Sequence, residues 1–324
     1  MVTIEEYEKC KNSVVYFAKN YVKFWNYNKA EYDEFQPTDK QIETLENFQN
    51  EKLFLLNSCR RYGKSILSAI YTSWVVIFKN DQYVMVLNPK NNDSVRFLST
   101  CKILIDDVKD YFKIEFKESS KKTLLLNNNS CIGVGIADGV CGCGMTPQLV
   151  IVEEVAFCNG FRDFFPAVFP IISSRSDSQL ILTGTKNSDK MNLFYRIYLK
   201  SQNPKCCWKS QGIDWRDIKH DEDTINHIKN HLSYDQFVIE YEKEFPINYP
   251  VKESPLEDIF FDYDGKLRIL CDEGLLTVDE YSEEFTDDIT TNKTWFNNSG
   301  FEWFVSQEKC GGCLIISRNI REDI

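Results

Sequence analysis

Leu53-Phe54-Leu55-Leu56-Asn57-Ser58-Cys59-Arg60-Arg61-Tyr62-Gly63-Lys64-Ser65 decides the fold of this chain. A short apolar run reads as a buried strand, and the apolar period from Ser65 to Phe78 reads as a helix. A strand that ends in Gly-Lys-Ser and opens a helix is built to hold phosphates, because successive backbone N–H groups and the helix N-terminus point at the anion. Lys64 would then neutralise the β- and γ-phosphates of a nucleotide, and the Ser65 hydroxyl would sit on Mg²⁺. Arg60, Arg61, Tyr62, Gly63 and Ile66 complete the loop. The full pattern places glycine five positions before Gly63, and Ser58 stands there instead.

Working outward, further apolar strands read at Tyr83–Leu87, Leu149–Val152 and Gln179–Leu182, with weaker ones at Thr123–Leu126 and Ser130–Ile136. Val95 to Phe112 has a helical period. Continuous apolar strands alternating with helices predict an α/β fold with a mostly parallel sheet covered by helices. Residues 4 to about 30 read as one leading amphipathic helix. Thr38 or Asp39 caps a short helix through Gln41, Leu45 and Phe48. Asp214 to Phe245 reads as mostly helical, and beyond Pro246 acidic and polar runs replace core-forming sequence. The division expected is therefore 1–245 and 246–324, with 1–50 as a helical entry segment.

The strand Leu149-Val150-Ile151-Val152 delivers Glu153 and Glu154 at its C-terminal end, the edge at which parallel α/β sheets bind ligands. One carboxylate can reach the Mg²⁺ shell while the other orients or deprotonates a water. A third strand ends in Thr183-Gly184-Thr185, polar groups placed to sense a terminal phosphate.

The chain has 324 residues, a formal net charge of −11 and 12 cysteines. That acidity argues against a broad nucleic-acid-coating surface, though not against a local basic patch. No window approaches the roughly 18 apolar residues that cross a bilayer. The N-terminus lacks a signal-peptide layout, so a cytosolic protein with reduced thiols is expected. Cys310-Gly-Gly-Cys313, Cys141-Gly-Cys143, Cys206-Cys207 and the pair His227 and His231 do not assemble into a zinc site at finger spacing. The cysteines read as small, semi-buried apolar side chains.

At these residues the sequence resembles one family, the large terminase subunits of tailed bacteriophages, the motors that package DNA. The resemblance rests on Arg60 within the variant loop Cys59–Ser65, on Glu153-Glu154-Val155-Ala156-Phe157, and on the approach Gly144-Met145-Thr146-Pro147-Gln148. Flanking matches are Phe17–Val22 with Phe35 and Gln41, then Asn192-Leu193-Phe194-Tyr195. Leu232–Phe237 with Glu240-Tyr241 and Glu244-Phe245 closes the series, which spans about 1 to 245.

The resemblance implies a P-loop NTPase of the RecA-like, ASCE type that hydrolyses ATP with Mg²⁺ and drives double-stranded DNA into a procapsid. It implies an adenine contact by Gln41, Mg²⁺ held by Ser65 and Glu153, and water activation by Glu154. Lys64 and Arg60 would act on the phosphates, and Thr183, Gly184 and Thr185 would couple hydrolysis to movement. Implied partners are double-stranded DNA, the portal protein, the small terminase subunit and further copies of the chain in a ring, in the cytoplasm of an infected host cell and transiently on the procapsid. Arg162, Arg175 and Arg196 are candidates for an arginine supplied by a neighbour.

Two departures stand out. Glu153 occupies a position that is usually Asp. Gly312–Asn319 resembles the first strand of a nuclease domain, with Arg318 and Asn319 where a metal-binding Asp is expected, so nuclease activity is not expected from this chain. Two alternatives stay open: a helicase-type DNA-dependent ATPase, and a nucleotide-binding assembly protein that does not hydrolyse.

Overall fold

The computed structural model describes residues 2–26, 30–138, 146–187, 192–218 and 222–243, and three short strands between 259 and 277. These divide into two units. The first holds residues 1–188 and 208–246, the second 189–207 and 247–324.

The first unit begins with two helices rather than one, α1 (Ile4–Asn12) and α2 (Val14–Tyr21). The apolar period runs through the break, but Ser13 leaves helical geometry at φ −144° and its side chain accepts from Tyr16 N at 3.1 Å. An N-cap placed inside an unbroken pattern has ended the first helix. An antiparallel pair follows, β1 (Lys23–Asn26) and β2 (Glu31–Glu34), and β1 falls where the single-helix expectation placed continued helix. Next come α3 (Asp39–Asn50), β3 (Leu53–Ser58), α4 (Lys64–Phe78), β4 (Tyr83–Asn88) and α5 (Asn91–Phe112). Strands β5 (Phe116–Ser119), β6 (Thr123–Leu126), β7 (Cys131–Ile136) and β8 (Leu149–Val152) lead to α6 (Phe161–Ser174) and β9 (Gln179–Gly184).

The second unit contains α7 (Leu193–Ser201), started by Asn192, whose side chain accepts from Phe194 N at 2.9 Å. Back in the first unit are β10 (Lys209–Ile213), α8 (Glu222–His231) and α9 (Tyr234–Tyr241). Strands β11 (Ile259–Phe261), β12 (Leu267–Cys271) and β13 (Gly274–Thr277) form an antiparallel sheet in the second unit. Gly144, Met145, Cys141, Cys143, Cys310, Cys313, the segment 312–319 and the side chain of Arg162 lie outside the described residues.

The main sheet has eight strands in the order β10-β3-β9-β8-β4-β7-β6-β5. Neighbours from β10 to β7 run parallel, and β6 and β5 add an antiparallel end. Thus β9 is inserted between β3 and β8. Register is fixed beside β8 by Gln148, whose side chain accepts from Tyr83 N at 2.8 Å and whose carbonyl accepts from Gln179 N at 2.8 Å. Strand β10 was not expected from sequence, because Lys209-Ser210-Gln211-Gly212-Ile213 has neither an apolar run nor strict alternation. It is an edge strand, paired with β3 alone, and buries only Gln211 and Ile213.

Helix α4 is buried almost throughout, which an apolar run without a polar face requires. Its end meets Tyr7, Phe17 and Phe112 around Phe78, with ring centroids 5.5, 5.4 and 4.9 Å away. Burying each such ring stabilises the unit by about 2–3 kcal/mol, so the entry helices and the phosphate-loop helix share one core. Cys10, Cys59, Cys101 and Cys158 are buried within the unit as apolar side chains.

Candidate active site

Because β3, β8 and β9 run parallel, the segments after Ser58, Val152 and Gly184 open on one edge of the sheet. The loop after β3 is pinned at three points. Cys59 N donates to Ile213 O at 3.0 Å, Arg60 N to Glu240 O at 2.9 Å, and Gln41 Nε2 to Tyr62 O at 2.9 Å. Arg61 and Gly63 take left-handed backbone, φ 67° and 94°. Glycine is needed at 63, since a Cβ there would be strained and would come 3.3 Å from Gln41 Nε2.

Tyr62 was expected at a nucleotide. Its side chain is buried and points the other way, toward α3. Its hydroxyl lies 2.6 Å from Thr44 Oγ1 and donates to Lys40 O at 2.7 Å, while Thr44 Oγ1 also lies 2.7 Å from Gln211 Oε1. Tyr62 therefore offers the site its backbone and braces the loop with its ring. Burial moves its phenol upward from the ordinary value. The Cys59 thiol beside it is pushed up to about 12, chiefly by burial, so it stays a neutral thiol.

Gln41 is the third residue of α3 and closes a capping box with Thr38, accepting from Thr38 N at 3.0 Å. One of its two amide N–H groups is given to Tyr62 O. Ile66 lies in the first turn of α4, where its N–H donates to Gly63 O at 3.1 Å.

Opposite the loop, Ser65 Oγ donates to Glu153 Oε2 at 2.6 Å. Ser68 Oγ and Thr183 Oγ1 donate to Glu153 Oε1 at 2.5 and 2.9 Å. Glu153 is only 1% exposed. Burial pushes its carboxyl up from the ordinary 4.5, three hydroxyl hydrogen bonds pull it back, and Glu154 adds to the rise. Ser68 was missed in sequence, although it lies one helical turn beyond Ser65 and both hydroxyls therefore share a face.

Glu154 sits at φ 49° and ψ 43°, left-handed geometry that is uncommon for a side-chain-bearing residue and costs of order 1–3 kcal/mol. That turn aims its carboxylate back at α4. Lys64 Nζ lies 3.1 Å from Glu154 Oε1 and donates to Thr185 Oγ1 at 2.8 Å, while Thr185 N donates to Glu154 Oε2 at 3.4 Å. Lys64, Ser65, Glu153, Glu154, Thr183 and Thr185 are thus brought together.

No protein-family model matches the sequence. Solved structures do resemble the fold. The large terminase ATPase domain of Thermus phage P74-26 gives a TM-score of 0.53 at 16% identity, covering 65% of this chain and 100% of that one. The large terminase of bacteriophage HK97 gives 0.56 at 13%, covering 87% and 70%. That of bacteriophage D6E in complex with ADP gives 0.53 at 12%, covering 88% and 84%. The fold is that of the large terminase ATPase domain. At such identities the likeness is one of fold, and it carries the P-loop α/β class expected from sequence.

Other expected residues of this terminase fold lie elsewhere. Arg60 has its guanidinium paired with Glu240, Nε against Oε2 and Nη2 at 3.0 Å from Oε1. Arg175 precedes β9 and pairs with Asp177 at 2.8 Å, at the sheet edge opposite the phosphate loop. Arg196 lies on α7, in the second unit.

Proposed function

We propose that residues 1–245 form the ATP-hydrolysing motor domain of a DNA-packaging terminase large subunit, with residues 246–324 as a linker and the beginning of a nuclease-like domain. One observation carries the reading: Lys64 and Ser65 at the start of α4 face the adjacent carboxylates Glu154 and Glu153, with Thr183 at the end of β9 on Glu153 and Thr185 just beyond it joining Lys64 to Glu154. The names of the similar proteins, an ATPase domain and a terminase in complex with ADP, support it.

ATP would lie with its phosphates on the α4 N-terminus, where backbone N–H groups and Lys64 supply positive charge. Lys64 Nζ lies 3.1 Å from Glu154 Oε1 and so also faces that carboxylate. Arrival of the phosphates gives Lys64 a stronger anion and releases the Glu154 carboxylate to orient and deprotonate a water. The Ser65 hydroxyl and the buried Glu153 carboxylate are adjacent hard oxygen donors, the kind Mg²⁺ takes. When bound, Mg²⁺ would neutralise charge on the β- and γ-phosphate oxygens. Through Thr183 on Glu153 and Thr185 on Lys64, the end of β9 touches both halves of the site, a suitable place to couple hydrolysis to movement of double-stranded DNA. Portal protein, small terminase subunit and a ring of copies belong to this proposal, as does a neighbour's arginine drawn from Arg162, Arg175 or Arg196.

Steady-state ATP hydrolysis with and without linear duplex DNA, paired with a strand-separation assay, tests the reading. DNA-stimulated turnover without unwinding is expected. Unwinding would favour the helicase-type reading, and nucleotide binding without turnover the non-hydrolysing one.

A further inference from the structure

We propose that Glu240 is a positioning residue that competes with the terminal phosphate of ATP for Arg60, and so sets how strongly the site prefers ATP over ADP. The inference rests on the nucleotide reading above. Arg60 belongs to the loop that opens α4, yet its planar fork is closed on a carboxylate 180 residues away, with Nη2 at 3.0 Å from Oε1 and Nε against Oε2. Its backbone N–H is bound to Glu240 O at 2.9 Å, so loop and helix end are joined twice. Arg60 is thus held by Glu240 within the loop that opens α4.

A guanidinium presents one bidentate face, and a phosphate matches it as a carboxylate does. It cannot close on both. ATP offers a γ-phosphate in exchange for Glu240, whereas ADP has none. The pair thus weakens ATP binding by whatever it costs to open and leaves ADP binding alone. The position of α9 does not depend on the pair. Phe237, Val238 and Tyr241 are buried, Phe237 and Tyr241 pack with Ile225 of α8, and Ser233 caps the helix in a capping box with Gln236. The backbone beyond it is held separately, Lys243 O by Asn57 Nδ2 at 3.0 Å and Glu242 O by Lys186. Glu240→Gln should therefore free Arg60 without displacing the helix.

The test is the dissociation constants of ADP and a non-hydrolysable ATP analogue, with Mg²⁺, for the full chain. It compares wild type, Glu240→Gln, Arg60→Ala and the double variant, with thermal melts confirming folding. Glu240→Gln should tighten the ATP analogue about two- to tenfold, the worth of a half-exposed bidentate pair, and leave ADP unchanged. In the Arg60→Ala background the same substitution should do nothing. An unchanged ATP-to-ADP ratio, an equal change for both nucleotides, or an effect that survives without Arg60 would overturn the proposal. A wild-type chain that binds neither nucleotide would instead overturn the functional reading beneath it.

Discussion

Ser65 Oγ donates a 2.6 Å hydrogen bond to Glu153 Oε2, tying the first turn of α4 to the end of β8 across 88 residues of sequence. Two strands do not touch to make this contact, since β9 lies between β3 and β8. The loop and the carboxylate reach over the end of β9, which is why Thr183 also joins Glu153.

That geometry stores an unfavourable charge. The Glu153 carboxyl titrates above its ordinary 4.5 because it is buried. A folded state that holds a proton more tightly than the unfolded state loses stability as pH rises from about 4.5 through the folded value. Glu153→Gln should therefore melt higher than wild type without nucleotide, by a margin that grows as pH rises above about 4.5 and levels off above the folded value, and should lose the Mg²⁺-dependent part of ATP binding. Parallel melting curves with no such divergence would contradict the burial argument.

Lys64→Ala should weaken ATP binding roughly 10- to 100-fold, the worth of a charge-assisted phosphate contact of about 1.5–3 kcal/mol. Glu154 loses its partner but is 36% exposed and can be solvated, so the folded protein should survive the change. Titration calorimetry checks both points, and unchanged affinity would remove the phosphate-loop assignment.

Tyr62→Phe deletes the hydroxyl that joins Thr44 to Lys40 O while keeping the buried ring. The expected cost is about 1 kcal/mol, or roughly 2–4 °C in Tm. If the hydroxyl acted on nucleotide, affinity would fall without a change in Tm, the opposite pattern.

Gly63→Ala places a Cβ at φ 94°, 3.3 Å from the Gln41 amide. Strain of about 1–2 kcal/mol falls on the bond between Gln41 and Tyr62 O. Lower stability and weaker ATP binding should appear together, measured by melting and titration.

Much of the fold was legible because its central strands are continuous apolar runs. Leu53–Leu56 and Leu149–Val152 could hardly be anything but buried strands, and the polar residues that end them had to lie at the sheet edge. The helix break at Ser13 was not legible, since a cap inside an unbroken period leaves no pattern. Nor was β10, whose edge position relaxes the apolar requirement. Within the site, the meeting of Lys64 and Ser65 with the two glutamates followed from topology. The direction of Tyr62 and the closure of Arg60 on Glu240 did not, because both are set by partners distant in sequence that no local spacing announces.

The assignment of Glu154 as the group that activates water bears most weight, and steady-state ATP hydrolysis by Glu154→Gln, with nucleotide affinity measured in parallel, addresses it directly. The substitution keeps the shape and a hydrogen-bonding amide but removes the base. Turnover should fall by at least about 100-fold while ATP binding is kept or slightly improved, because Lys64 no longer has a competing carboxylate. Hydrolysis at the wild-type rate would show that the water is activated elsewhere.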